Sequence, residues 1–203
     1  MPISAEINQF YENYYKTSQY TAKLESKIRR ARRRIKGLKR TNGQRFLDVG
    51  CNVGFATEAA RQIGFQAEGI DLDPVAIDTA RKLFPEARFS TDDLDHLAMK
   101  NERYDVVYCS EIIEHLTDPD AFLSSVKSVM TDGATLFLTT PDAGHYRVSQ
   151  KPEHLCDWNN VRPPEHLLYF NGRSIRCLLS NHGFNSIHIA FNLKPTLKVR
   201  ASR

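Results

Sequence analysis

From Arg45 onward, short apolar runs alternate with segments whose apolar residues recur every three or four positions. RFLDV at 45–49 reads as a buried strand, and a helix is expected from about Gly54 to Ile63. AEGID at 67–71 predicts a second strand. Asp73-Pro74 then supplies an N-cap and a first-turn proline for a helix running to about Phe84. Ala87–Ser90 and Asp105–Ser110 predict strands three and four, and a helix is expected over Pro119–Met130, ended by Asp132-Gly133. Ala134–Thr140 predicts a fifth strand and Gly172–His182 a helix closed by Gly183. Ser186–Phe191 and Thr196–Ala201 are strand-like with no helix between them. Strands alternating with helices imply an α/β fold, a doubly wound and mostly parallel sheet with helices on both faces. The last two strands add an antiparallel edge hairpin, for seven strands in all. Residues 141–170 are polar and nearly aperiodic, and an insert of that length is expected to act as a lid or substrate wall.

Ahead of this region lies a different pattern. Leu24, Ile28, Ala31, Ile35 and Leu38 form one narrow apolar stripe on a helix whose other faces are basic, and Asn42-Gly43 ends it. The chain is therefore divided into an N-terminal helical segment, 1–43, and a domain, 44–203. Between Lys23 and Arg40 stand ten basic residues and one acid, Glu25, within a net charge of +4. The remainder holds 18 basic and 23 acidic residues, so an acidic body carries a basic arm. Such a helix suits RNA or an anionic membrane surface; its stripe can equally pack on the domain and leave the arginines in water.

With 203 residues, 41% hydrophobic and 26% charged, the chain is expected to form one soluble domain and is too short for two ordinary ones. Its start, MPISAEINQF, lacks the features of a secretion signal, and no apolar run is long enough to span a bilayer. Cys51, Cys109, Cys156 and Cys177 form no C-x-x-C pair. A cytoplasmic protein, peripheral at a membrane if the basic arm docks there, is the expectation.

The sharpest motif is DVGCNVGF at 48–55, at the first strand–helix junction. Glycine there permits a tight turn and close approach of a ligand, and the helix presents free N–H groups. Asn52 and Phe55 stand where a G-x-G-x-x-G fingerprint needs glycine, and no Gly-Lys-Ser/Thr occurs. Asp48 would repel a pyrophosphate and suits a cationic or amino-bearing ligand. Asp71, 21 residues past Gly50, ends the second strand, where an acid accepts hydrogen bonds from ribose hydroxyls. The combination asks for a nucleoside with ribose, a positive or amino group, and no phosphates.

These motifs resemble the class I S-adenosylmethionine-dependent methyltransferases, with the Rossmann-like sheet that this family implies. FLDVGCNVG is similar to the family's first motif, with Asn52 replacing the middle glycine, and EGIDLDP to the second. STDDLDHL resembles the third and YDVVYCSEIIEHL the fourth; ATLFLTTP, EHLLYF and SNHGF resemble the ubiquinone O-methyltransferase group. The resemblance implies S-adenosylmethionine as cofactor. It places Asp48, Gly50, Asn52 and Gly54 at the turn, Asp71 and Leu72 by the ribose, Asp92 or Asp93 at the adenine amino group, and Ser110 beside the methionine portion.

Methyl transfer to a hydroxyl requires alignment, exclusion of water and removal of a proton. Glu111, Glu114 and His115 would share one face if Glu111 opened a helical turn, and His166 comes from the insert. Two carboxylates and an imidazole, with His166 as a fourth ligand, make a candidate site for a divalent metal such as Mg2+. The E-x-x-E-H pattern is also similar to metal-dependent small-RNA terminal 2′-O-methyltransferases. Without metal, Glu114 and His115 cap a helix or orient a loop, and His166 is the preferred general base, with His115 beside it. His145 and His154 are weaker alternatives for that base and read as surface loop histidines, and His182 reads as a helix C-terminus. Phe10, Tyr11, Tyr14 and Tyr15 can form a lid or an anchor; Trp158 and Tyr169 can line an acceptor pocket or pack the insert. The leading function is O-methylation of a small molecule, since the motif after the fourth strand, CSEI, lacks the Pro-Pro-aromatic pattern of amino-directed enzymes. Metal-assisted RNA methylation and a non-catalytic cofactor-binding module are the alternatives.

Overall fold

The computed structural model describes residues 18–38, 44–151, 154 and 157–203. The expectations for Phe10, Tyr11, Tyr14, Tyr15, Lys39, Arg40, Asn42-Gly43 and Cys156 lie outside the described residues. The chain forms helix α1 (Ser18–Ile35) with a 3-10 turn at Lys36–Leu38, then β1 (Arg45–Val49), α2 (Phe55–Gln62) and β2 (Gln66–Asp71). Helix α3 (Pro74–Leu83), β3 (Arg88–Thr91), α4 (Leu94–Met99) and β4 (Tyr104–Ser110) follow. A 3-10 turn at Ile113–His115 leads to α5 (Pro119–Ser128), β5 (Met130–Pro141), α6 (Gly172–Asn181), β6 (Ser186–Ile189) and β7 (Thr196–Ser202).

The sheet has seven strands in the order β3-β2-β1-β4-β5-β7-β6. The first five pair in parallel, and β7 runs antiparallel between β5 and β6. Strand order reverses direction between β1 and β4, which opens a crevice at their C-terminal ends, where ligands of doubly wound sheets bind. Each face carries a buried apolar layer. Ile77, Ala59 and Phe46 lie with α1 on one side; Leu123, Val126, Ile175 and Leu179 lie on the other. The stripe of α1 belongs to the first layer: Ile28, Ala31, Ile35 and Leu38 are buried, while Arg29, Arg30, Arg32 and Arg33 are exposed. This matches the reading in which the stripe packs and the arginines stay in water, so the apolar face of α1 is not free to enter a lipid layer.

Local signals set several boundaries. Asp73 caps α3 by accepting the Val75 N–H, and Pro74 follows it. Asn171 and Ser174 close a reciprocal capping box on α6. Two expectations need correction. Helix α5 stops at Ser128, and the chain enters β5 already at Met130, so Asp132-Gly133 lies within a strand instead of ending a helix. Gly133 has φ +74, and the β4–β5 register shifts between Tyr104 and Val106, which together absorb the early start. Helix α4, six residues long, was not expected at all. The 141–170 insert is pinched shut at its base, where the Ala143 N–H donates to the Phe170 carbonyl at 2.8 Å and Asp142 bridges Phe170.

Candidate active site

The turn after β1 is built on three left-handed residues: Gly50 (φ +62), Asn52 (φ +49) and Gly54 (φ +82). Asn52 adopts this conformation as asparagine can, and its Oδ1 accepts the Val53 N–H at 2.7 Å. At Gly54 a side chain is barred twice. The φ is unfavourable, and a Cβ would lie 2.5 Å from the Phe89 ring. The loop is tied to β2 by the Cys51 N–H on the Ile70 carbonyl and the Asn52 N–H on Asp71 Oδ2, 2.8 Å. Asp71 Oδ1 takes the Asp73 N–H at 3.0 Å, so each oxygen keeps a lone pair for a further donor. Asp48 sits under this turn, buried, accepting from Thr57 Oγ1 at 2.8 Å. Burial pushes its pKa up to about 7, against the pull of the Thr57 hydrogen bonds and with a further push from Asp71.

A cavity of about 360 Å³ opens beside the turn. Gly50, Asp71, Leu72, Asp92 and Asp93 line it, together with Ile112, Leu116 and Phe122 on the far wall. Among the described residues its lining holds four aspartates, the fourth being Asp95, and no lysine or arginine. Such a wall accepts hydrogen bonds from hydroxyl and amino groups and disfavours phosphate. Leu72, 74% exposed, offers an uncovered apolar surface at the mouth. Asp92 is fixed by His96 Nδ1 (2.7 Å), Lys100 Nζ (3.0 Å) and the Asp93 N–H (3.0 Å). Burial alone would raise its pKa, but these donors outweigh that and hold it below the usual carboxylate range. Asp93 caps α4 through the His96 N–H. The other expected residues stand apart from the lining. Asp48, Asn52 and Gly54 shape the turn, and the Ser110 hydroxyl bonds Thr139 Oγ1 at 2.8 Å.

A second cluster lies beyond the far wall. Ile112 and Leu116, which line the cavity, bracket Glu114 and His115 in the chain. Donor atoms of Glu114, His115 and His166 all lie within 4.8 Å of one another, and the two imidazoles meet edge to face at 4.7 Å. His115 Nδ1 contacts the Glu165 carbonyl and His166 Nδ1 the Asn160 carbonyl, each at 2.7 Å. A carbonyl only accepts, so both Nδ1 atoms carry a proton, which in the neutral rings leaves the lone pair on Nε2. The insert is held here by the Leu167 and Leu168 N–H groups on the Glu114 carbonyl. Glu114 is buried; its Oε2 accepts from Thr140 Oγ1, and its Oε1 has no partner among the described residues. Burial raises its pKa, and the charge of Glu111 adds to the rise.

Glu111 is the correction at this site. It does not open a helical turn over Glu114 and His115. Its φ is +58, its N–H still bonds the Thr139 carbonyl, and its carboxylate accepts from Thr139 Oγ1 at 2.8 Å. The pairing of β4 with β5 thus runs one residue further, and the 3-10 turn starts only at Ile113. His145 is buried, not a surface loop residue, with Nε2 on the Asn192 carbonyl at 3.0 Å. His154 is exposed beside Asp157, and His182 caps α6 and meets Asp120 at 2.7 Å. Trp158 and Tyr169 pack together in the insert, ring centroids 6.4 Å apart.

A family model for a methyltransferase domain matches residues 19–189. The chain belongs to the S-adenosylmethionine-dependent methyltransferases. Among relatives, a ubiquinone biosynthesis O-methyltransferase of Proteus mirabilis is 27% identical over 77% of this chain and 71% of its own length. The corresponding enzyme of Xanthomonas campestris is 37% identical over 48% of this chain and 43% of its own. A methyltransferase structure from Archaeoglobus fulgidus superimposes with a TM-score of 0.67 at 18% identity, covering 96% of this chain and 98% of that one. Magnesium protoporphyrin IX methyltransferase of Synechocystis, with demethylated cofactor bound, gives 0.64 at 18% identity over 98% and 94%. In this methyltransferase the wall formed by Ile112, Leu116 and Phe122 escaped sequence reasoning. Its signal is the apolar spacing within IIEHL and the following helix, which reads equally well as core.

Proposed function

We propose that this methyltransferase transfers the methyl group of S-adenosylmethionine to a hydroxyl oxygen of a small molecule. The cofactor's adenosine would occupy the acidic cavity, with Asp71 accepting from the ribose hydroxyls, Leu72 against the base and Asp93 or Asp92 near the adenine amino group. Asp48, Gly50, Asn52, Gly54 and Ser110 would shape and flank the methionine end. The observation that carries the oxygen preference is the pair His115 and His166, each with Nδ1 tied to a carbonyl and Nε2 left basic. In the step, the acceptor oxygen would be held in line with the methyl carbon. The bound cofactor would supply the sulfonium methyl, sulfur keeping the electrons of the broken carbon–sulfur bond, and His166 Nε2 would take the hydroxyl proton. His115 sits edge-on to that ring, and the buried Glu114 carboxylate in the same cluster would offset the positive charge that develops. Residues 44–203 would form the catalytic body, and 1–43 a basic segment clamped to it through α1.

One observation favours a second reading. Ligand atoms of Glu114, His115 and His166 lie within 4.8 Å of one another and Glu114 Oε1 has no partner among the described residues, a donor set that fits a divalent cation. Glu114, His115 and His166 would hold it, with Glu111 outside the group; two imidazoles suit a first-row transition ion better than Mg2+. A bound ion would lower the pKa of an acceptor hydroxyl.

The test uses labelled S-adenosylmethionine with panels of phenols, catechols and amines. Methylation of hydroxyls, with His166→Asn reducing the rate by about 100-fold or more while cofactor binding persists, is expected. Methylation of amines alone, or full activity in His166→Asn, overturns the reading. Loss of activity in EDTA, restored by a divalent ion, selects the metal-bound form.

A further inference from the structure

The loop joining β6 to β7 presents its apolar side chains outward. Phe191 is 82% exposed and Leu193 60%. Nothing about the loop is slack. The Asn192 side chain between them donates to the Thr196 carbonyl at 3.1 Å and accepts from Lys198 Nζ at 3.3 Å. Its carbonyl receives the Nε2–H of buried His145 at 3.0 Å, and the Ala190 N–H extends the strand pairing onto the Lys198 carbonyl. Asn192 is thus pinned inward, and its two neighbours are forced out. His145 also joins this loop to the base of the insert, where Tyr146 is 65% exposed with the Arg147 guanidinium 5.4 Å from its ring. Three large apolar side chains therefore share one rim, on two loops locked together before any partner arrives.

Basic residues dominate this part of the chain. From His166 to Arg203 the chain contains no aspartate or glutamate and six lysines and arginines. Lys194 lies in the loop itself. Lys198 lies behind it, where burial first, and then the charges of Arg34 and Lys194, lower its pKa. Arg34 brings the end of basic α1 to the same side. Asp142, whose N–H bonds the Pro195 carbonyl, is turned into its own loop with Oδ1 on the Gly144 N–H. Strand β7 starts opposite Pro141, so the loop stands at the C-terminal end of the parallel strands, the end on which the candidate site opens.

We propose that the 190–195 loop, with Tyr146 and Arg147, docks this protein on an anionic lipid surface. Phe191, Leu193 and Tyr146 enter the headgroup boundary, while Lys194 and Arg147 meet lipid phosphates. Leucine at the tip decides between polyanions. RNA-binding platforms stack bases on aromatic rings, whereas a leucine exposed beside a phenylalanine gains most from hydrocarbon. Docked in this way, the enzyme turns the end of the sheet that carries its site toward the lipid, where an apolar acceptor would dissolve. The proposal concerns the surface and not the chemistry, so it stands or falls independently of oxygen methylation.

The experiment is flotation of the full chain with phosphatidylcholine vesicles, with and without 30% phosphatidylglycerol. Phe191→Ser/Leu193→Ser and Lys194→Glu are run beside it, and S-adenosylmethionine binding by calorimetry serves as the check on folding. Anionic vesicles are expected to retain the protein and neutral ones to release it. The double variant should lose about 100-fold in partitioning and Lys194→Glu about fivefold or more, with cofactor binding unchanged. Phe191→Trp should give a blue-shifted emission increment on anionic vesicles over the parent protein. No vesicle binding by the parent overturns the proposal. So does binding that the double variant retains, or a tip variant whose defect is in RNA retention or self-association instead.

Discussion

Asp48 offers a test in which the physics of burial gives both sign and size. The carboxyl group is 2% exposed, accepts one side-chain hydrogen bond and faces the charge of Asp71, and its pKa is pushed up to about 7. An acid whose pKa is raised by folding binds more protons in the fold than in the unfolded chain. Its presence therefore costs stability as pH rises above the unfolded value, and that cost is complete above the folded value. A gap from about 3.9 unfolded to about 7 folded corresponds to about 4 kcal/mol at high pH, of which about 2–3 kcal/mol develops between about pH 5 and pH 8. Asp48→Asn keeps an oxygen for the Thr57 hydroxyl and removes the titration. Urea unfolding of the ligand-free wild type and variant should therefore diverge with pH. The variant should gain about 2–3 kcal/mol over the wild type between about pH 5 and pH 8. The same substitution should weaken binding of the cationic cofactor by about tenfold or more near pH 8, because the ionised carboxylate that attracts it is gone. A stability difference that does not change with pH would refute the reasoning.

Other consequences follow from single contacts. Gly54→Ala should lose about 2 kcal/mol or more of stability, measured by chemical denaturation, because left-handed backbone alone costs a Cβ-bearing residue about 1–2 kcal/mol and the new carbon meets the Phe89 ring. Ile35→Ala should cost about 2–4 kcal/mol and lower Tm by roughly 5–10 °C, since Ile35 is fully buried; an unchanged melt would show that α1 does not clamp the body. His145→Ala should leave cofactor binding intact but raise amide hydrogen exchange through residues 190–196, because the pin on Asn192 is removed.

What could be read from the chain was what depends on neighbours in the chain. Asp73-Pro74 announces α3 by itself, and the glycine and asparagine of 48–54 announce a left-handed turn, so both were legible. Helix α4 was not, because six residues make fewer than two turns and leave too little periodicity. The start of β5 was missed since Thr131, Asp132 and Gly133 look like a turn; their strand conformation is imposed by pairing with β4. Glu111 was misplaced for a similar reason: Thr139, 28 residues later, holds both its backbone and its carboxylate. His145 reads as a surface position because its partner, the Asn192 carbonyl, lies 47 positions away. At the candidate site, the acids were found and the apolar wall was not, since an aspartate at a strand end carries its own meaning and an isoleucine does not.

The placement of the cofactor in the aspartate-lined cavity is tested most directly by calorimetric titration of the wild type and Asp71→Ala with the demethylated cofactor. Asp71 holds the turn through the Asn52 N–H and keeps two lone pairs for the ribose, so the expected result is one site per chain in the wild type. Affinity in the variant should fall by about 100-fold, the loss of two hydrogen bonds to a charged acceptor. Equal affinity in the two proteins, with the variant folded, would contradict the placement.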